Sequence, residues 1–389
     1  MAFTDFPFPP STPLYPKASV VQSYLESYCH HFGLSTHIQL RTTVLDVWRD
    51  ESRWKVKIST GDTLDFDIIV IANGHYRTPR YPDTPGLSEW RAGGRATHSA
   101  WYRNPHKFVG KTVLVVGGGP SGKDIAAEVC TVATRVIHSF SGRSPEDSRK
   151  PGDRDRVIEF KSDGQVVFED GTTEHGIDHC ILATGFEVSF PFLRPDTIRE
   201  GLPPPFPPLQ RDLYNSTYHV FPLARHIFPI QPDIPPGSLV FLGLLVRVAP
   251  FALVEAQARA AVKVIAQPES LDLDAEMLAI CDRYRALQAC FWDDPLLIAK
   301  VWDRLPNDEQ FDYRDRLYEF AEDASEKRII VPQWERDMYE RKFTLRTIWR
   351  TIEEKGESEQ WLDGVGVGGQ LDWVDFTDRL LCSKRDMSN

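Results

Sequence analysis

Two rhythms alternate at the start of this chain. Over residues 19–32 the apolar Val20, Val21, Tyr24, Leu25 and Tyr28 recur at the spacing of one helix face, and Gly33 then supplies a left-handed stop. Over 43–48 and 54–58 the spacing drops to two, with β-branched and aromatic residues alternating with polar ones, which predicts an antiparallel hairpin. Residues 66–72 (FDIIVIA) form a continuous apolar run, the pattern of a strand buried on both faces, ended by Asn73-Gly74. Residues 111–116, 135–140 and 178–183 repeat that pattern, the first of them followed by a glycine loop and a helix. Together they spell a βαβ-type domain over 105–185.

Between those strands, 144–156 is so densely charged that it reads as a solvated loop. Beyond 186, prolines at 203, 204, 205, 207 and 208 lead to a strand at 239–245 and a helix at 252–266. The opening segment, Met1 to Pro10, is aromatic and proline-rich, so it is expected to lie extended on a domain. A formal charge of −11 excludes a surface that tracks nucleic-acid phosphates, while leaving room for a pocket that holds a single phosphate group. The six cysteines show neither CxxC nor zinc-like spacing and read as reduced thiols. The longest apolar stretch, 239–251, is interrupted by Arg247 and Pro250 and falls short of the ~20 residues that cross a bilayer. A soluble, cytoplasmic protein with a small-molecule substrate is expected, with no nucleic-acid partner, no transmembrane segment and no metal site.

One motif carries chemistry. Val113 to Ala126 reads VLVVGGGPSGKDIA, a GxGxxG that ends a buried strand and opens a helix with Ile125, Ala126 and Val129 on one face. Gly117 permits the tight turn, Gly119 lets a pyrophosphate approach the backbone, and Gly122 permits close packing of helix on strand. Ser121 and Asp124 lie at the start of that helix, whose unpaired N–H groups and positive dipole end favour an anion. The end of the following strand selects the nucleotide, because an acid there would bind the ribose of NAD. Val136 to Arg143 carries none before Glu146; Ser139, Ser141 and Arg143 suit the 2′-phosphate of NADP instead. A second GxGxxG, Gly364 to Gly369, has no buried strand before it and no evident helix start at Gln370, so it reads as a loop.

The glycine motif sits in a wider pattern that resembles the flavin-containing monooxygenases, most closely their fungal branch. Gly94, His98 and Tyr102 fit that family's FxGxxxHxxxY/F signature, with Ala92 in place of Phe. Arg103 after Tyr102 looks more like the N- and S-oxygenating group than the Baeyer–Villiger group. Ala72-Asn-Gly74 and Ala183-Thr184-Gly185 look like its two ATG-type strand ends, and 189–193, 225–228 and 251–257, including Gln257, resemble its later blocks. In the family, the segment MxFxDFPFP lies well inside the chain, after a first GxGxxG for FAD; here it begins at Met1.

The resemblance therefore implies an α/β protein of the two-dinucleotide-binding-domain, glutathione-reductase-like architecture. An FAD and substrate domain would comprise 1–104 and 186–389, lack its first βαβ unit, and enclose an inserted Rossmann-like NADP-binding domain at 105–185. It further implies cofactor contacts from His98, Tyr102, Ala183, Thr184, Gly185 and Gln257, and an enzyme that uses NADPH, FAD and O2 to oxygenate nitrogen or sulfur in a small molecule. The alternative is a catalytically incompetent NADP-binding remnant of that family. The absent unit is expected to leave the strand at 66–72 with a bare edge.

Overall fold

In the computed structural model, which describes residues 2–141, 152–306, 308–322 and 329–387, the helical spacing near the N-terminus becomes α1 (Ala18–His31). Gly33 closes it with a φ of +64°. The buried face of α1 centres on Tyr24, whose ring lies 3.9 Å from that of Phe8 and 5.9 Å from that of Phe251. The two-residue rhythm becomes the meander β1 (Val44–Asp50), β2 (Arg53–Ile58) and β3 (Thr63–Phe66), with Trp54, Val56 and Ile58 on its buried side.

The apolar run at 66–72 differs from its expected form. Phe66 closes β3, and Ile69–Ile71 form a separate strand, β4, which among the described residues pairs in parallel with one neighbour. Phe66 and Val70 are 41% and 44% exposed, so the run is not buried on both faces. The reason is geometric: a strand with one neighbour lacks the flanking layers that cover both sides of a parallel sheet.

By backbone contacts the chain forms two units, Met1–Asn73 with Phe190–Asn389, and Gly74–Ser189. The second holds a five-stranded parallel sheet in the order β6 (Ala96–His98), β13 (His179–Leu182), β7 (Thr112–Val116), β8 (Arg135–Ser139), β9 (Asp153–Arg154). Helix α3 (Pro120–Val129) connects β7 to β8, while β10 (Val157–Phe160), β11 (Val166–Phe168) and β12 (Thr173–Glu174) form an antiparallel meander. Residues 74–104 belong here, not with the other unit, because β6 pairs with β13 and β5 (Thr78–Pro79) pairs with β14 (Phe186–Glu187). Helix α2 (Leu87–Ala92) buries Leu87 and Trp90 in the same core as Leu114, Ile137 and Phe168. β9 falls inside the stretch expected to be a solvated loop; its two residues extend the sheet beside His138 and Ser139.

The first unit resumes with five two-residue strands, β15 (Arg199–Glu200), β16 (Tyr214–Asn215), β17 (Val220–Phe221), β18 (Leu223–Ala224) and β19 (Phe228–Pro229). They lead to β20 (Leu239–Phe241), the partner of β4, and to α4 (Pro250–Ala266), whose Leu253, Ala256 and Ala260 pack on α7 (Glu309–Ala321). Helices α5 (Leu273–Phe291) and α6 (Pro295–Trp302) lie between α4 and α7 in sequence. The closing helices α8 (Gln333–Glu340), α9 (Lys342–Glu354), α10 (Ser358–Leu362) and α11 (Gln370–Met387) gather a separate core around Leu345, Trp349, Phe376 and Leu380, against which Leu14 packs. Among the described residues, no helix is long and apolar enough to cross a membrane.

Candidate dinucleotide site

The end of β7 turns sharply at Gly117, whose φ of +129° is open to glycine alone. A Cβ there would lie 2.2 Å from the carbonyl oxygen of Ala183. One on Gly122 would lie 1.8 Å from the carbonyl oxygen of Gly117, so the first turn of α3 packs directly on the loop. Gly119 is different, because its Cβ would meet nothing within 4 Å. Two glycines thus serve the protein's own packing, and the third faces open space.

Gly119 is also the N-cap of α3, with Pro120 in the first turn, and among the described residues no side chain caps that end. Proline costs nothing there, since its missing N–H would have been unpaired, and the remaining amides keep their donors for a ligand. Ser121 is exposed on that first turn, and Asp124, just beyond it, is half-buried. The result is a dipole-positive helix end beside open space, chemistry that suits an anion.

Three predicted segments meet at the same end of the sheet. The register pairs Leu182 with both Val116 and His98, so the C-terminal ends of β6, β13 and β7 carry His98, Ala183 and Gly117 side by side. The carboxyl ends of parallel strands are where α/β sheets bind ligands. Thr184 donates its hydroxyl to the carbonyl of Arg80 at 2.6 Å, and Gly185 accepts from the Arg80 amide at 3.0 Å. His98 is buried, its Nδ1 accepting from the Ala100 amide at 3.1 Å, and its ring meets Tyr81 and Phe186 edge-on. Burial, aided by the charge of Arg91, holds its imidazole below the usual histidine range. It is a neutral ring that shapes the strand end.

Other predicted residues turn inward. Tyr102 donates its hydroxyl to Glu128 on α3 at 2.8 Å, and burial together with that carboxylate pushes the phenol above its usual range. Its role in the described structure is to brace the helix behind the loop. Ser139 requires a correction: it is fully buried and donates to the carbonyl of Asp155 at 2.7 Å, leaving it no means of reaching a 2′-phosphate. Arg154, its neighbour on β9, is engaged by Glu174, which Arg135 also holds at 2.7 and 2.8 Å. Ser141 is exposed beyond the strand, and Arg143 lies outside the described residues. Gln257 belongs to the other unit and is fully buried. Its amide accepts from Gly243 N–H at 2.9 Å and donates to the Tyr313 hydroxyl at 2.9 Å, so both ends are spent within the fold.

His138 and Phe140 touch the loop directly, and neither was singled out from the sequence. The Nε2 of His138 lies 2.8 Å from the carbonyl oxygen of Gly117, and the Phe140 ring would lie 3.2 Å from a Cβ on Gly118. Strand parity is the signal that finds them: Ile137 and Ser139 share the buried face of β8, so His138 lies on the other, with Phe140 just past the strand's end beside it.

The family model described as Flavin-binding monooxygenase-like matches residues 1–145 and 153–291. The chain belongs to that family. It is 33% identical over 300 residues to Flavin-containing monooxygenase FMO GS-OX-like 7 of Arabidopsis thaliana, covering 71% of this chain and 60% of that protein. It is 31% identical over 214 residues to Senecionine N-oxygenase of Tyria jacobaeae, covering 52% of this chain and 46% of that protein. Among solved structures, S-allyl-L-cysteine S-oxygenase from Allium sativum superposes with a TM-score of 0.71 at 26% identity, covering 99% of this chain and 82% of that one. The α/β fold is therefore the two-dinucleotide-binding kind of these monooxygenases. The chain spans about three-fifths of the length of the first curated relatives it matches, 60% and 63%.

Proposed function

We propose that this family member works in NADPH- and FAD-dependent oxygenation of a soft nucleophile, an amine nitrogen or a thiol or thioether sulfur, on a small molecule in the cytoplasm. The observation that carries the reading is the uncapped N-terminus of α3 behind an open Gly119, in a chain whose relatives are named for N- and S-oxygenation. Gly117, Gly119, Gly122 and the α3 turn bearing Ser121 and Asp124 would hold the NADPH pyrophosphate. The preference for NADP rests on Arg143. The compartment is supported by six cysteines that are all unpaired.

A bound flavin supplies the oxygen-transfer chemistry in this reading. Neither end of the β4–β20 pair forms a pyrophosphate loop: β4 ends at Ile71 without opening a helix, and Gly243, which follows β20, gives its N–H to Gln257. No step is routed through the flavin. The consumed Gly243 amide favours the second reading, a chain that binds NADP without holding flavin.

Absorbance of the purified chain for flavin, titration with NADPH, and NADPH-dependent oxygen uptake with a thiol and an amine separate the two. Yellow protein with substrate-dependent uptake supports the oxygenase; colourless protein that binds NADPH without uptake supports the second; no NADPH binding removes both. Arg143→Ala should weaken NADPH by about 1.5–3 kcal/mol, the range for hydrogen bonds to charged groups, and leave NADH nearly unchanged. An equal loss for both nucleotides would remove the argument for NADP.

A further inference from the structure

We propose that His138 is a positioning residue for the dinucleotide loop, fixing which way the peptide between Gly117 and Gly118 faces; this rests on the reading of that loop as the NADPH site. The Gly117 carbonyl oxygen is an acceptor, so the His138 Nε2 at 2.8 Å donates to it. The same oxygen lies beneath α3, since a Cβ on Gly122 would stand 1.8 Å from it. A carbonyl covered in that way costs free energy if left unpaired, and His138 pairs it.

The consequence reaches the next amide. A trans peptide is planar, and its C=O and N–H point in opposite directions. Holding the Gly117 oxygen toward His138 therefore aims the Gly118 N–H away from it. Gly117 and Gly118 carry no side chain that would itself resist a flip of this peptide. Phe140, two residues on and just past the end of β8, adds a second restraint: its Cβ lies 3.0 Å from where a Gly118 Cβ would be, and its ring stands 4.8 Å from that of His138. One strand thus sets the orientation of an N–H that the loop offers to an anion. The effect falls on the pyrophosphate, which NADPH and NADH share, and not on the 2′-phosphate.

The test is nucleotide affinity, read by fluorescence titration, beside thermal unfolding of each variant. His138→Phe keeps an aromatic ring beside Phe140 and removes the donor; it should weaken NADPH and NADH by the same factor, roughly tenfold, the equivalent of one hydrogen bond. His138→Gln, whose amide reaches Gly117, should stay within about threefold of the native chain, whereas the shorter His138→Asn should lose as much as Phe. If the Phe variant does not fold, the split between Gln and Asn decides. Native affinity in the folded Phe variant, equal losses in Gln and Asn with unchanged unfolding temperature, or a loss confined to NADPH would each overturn the proposal. A native chain that binds neither nucleotide would instead overturn the reading of the loop itself.

Discussion

The chain spells GxGxxG twice, and the two copies do opposite things with a helix N-terminus. At Gly117–Gly122 a buried strand feeds the loop, the helix is uncapped, and the middle glycine faces open space. At Gly364–Gly369 a turn leads from α10 into α11, with Val365 in the core and a Cβ on Gly366 lying 3.0 Å from Trp373 Nε1. There the Gly368 amide donates to Asp372 Oδ2 at 2.6 Å. The second helix brings its own carboxylate to the place where an anion would sit; the first leaves that place to a ligand. Contact, not lettering, separates an open loop from one closed by its own helix.

The largest effect is expected from Gly122→Ala. Its methyl would stand 1.8 Å from backbone, so α3 must move off the loop. Overpacking of this kind costs about 1–3 kcal/mol, and nucleotide binding should disappear with it. Denaturant unfolding and NADPH titration on one preparation check both, and retained affinity would mean that close packing of helix on loop is not required.

Gly119→Val should lose binding by more than about tenfold, or 1.4 kcal/mol, without loss of stability, because nothing of the protein lies within 4 Å of the added Cβ. A variant that unfolds early would show that the glycine serves packing after all. The smallest effect falls on the second loop. Asp372→Ala should cost about 1 kcal/mol of stability, typical of a lost N-terminal carboxylate partner, and leave NADPH affinity untouched. If removing that carboxylate created a pyrophosphate site, detectable by calorimetry with inorganic pyrophosphate, the contrast between the two loops would rest on the carboxylate alone.

Much of this was legible in the residues. β7, β8 and β13 follow from apolar runs with glycine or turn residues at their ends, and the role of Gly117 follows from the demand for positive φ at a strand-to-helix turn. The errors have physical causes. Residues 66–72 carry the apolar signature of a buried parallel strand, but burial needs neighbours on both sides, and among the described residues β4 pairs only with β20. Ser139 was judged by its hydroxyl when strand alternation puts it on the face of Ile137, pointing into the core. Gln370 was read as a poor helix start, yet α11 begins there because Asp372 satisfies an amide at its end. Gln257 gave no local sign that both ends of its amide would be consumed, by Gly243 fourteen positions before it and by Tyr313 fifty-six after.

The pairing of β4 with β20 also sets a timetable during synthesis. Ile69 faces Leu239, 170 positions later in the chain (239 − 69). At a translation rate of roughly 5–20 residues per second, β4 emerges about 10–30 seconds before its partner exists. Over that interval Gly74–Ser189, whose strands all find partners within the same stretch, can close its sheet on the ribosome. The aromatic N-terminal segment and α1 must wait for Phe251, and Leu14 waits longer still, until Phe376 and Leu380 have been made. The nascent chain therefore carries a sheet able to close early while the N-terminal aromatics, packed on α1 through Phe8 and Tyr24, still lack Phe251.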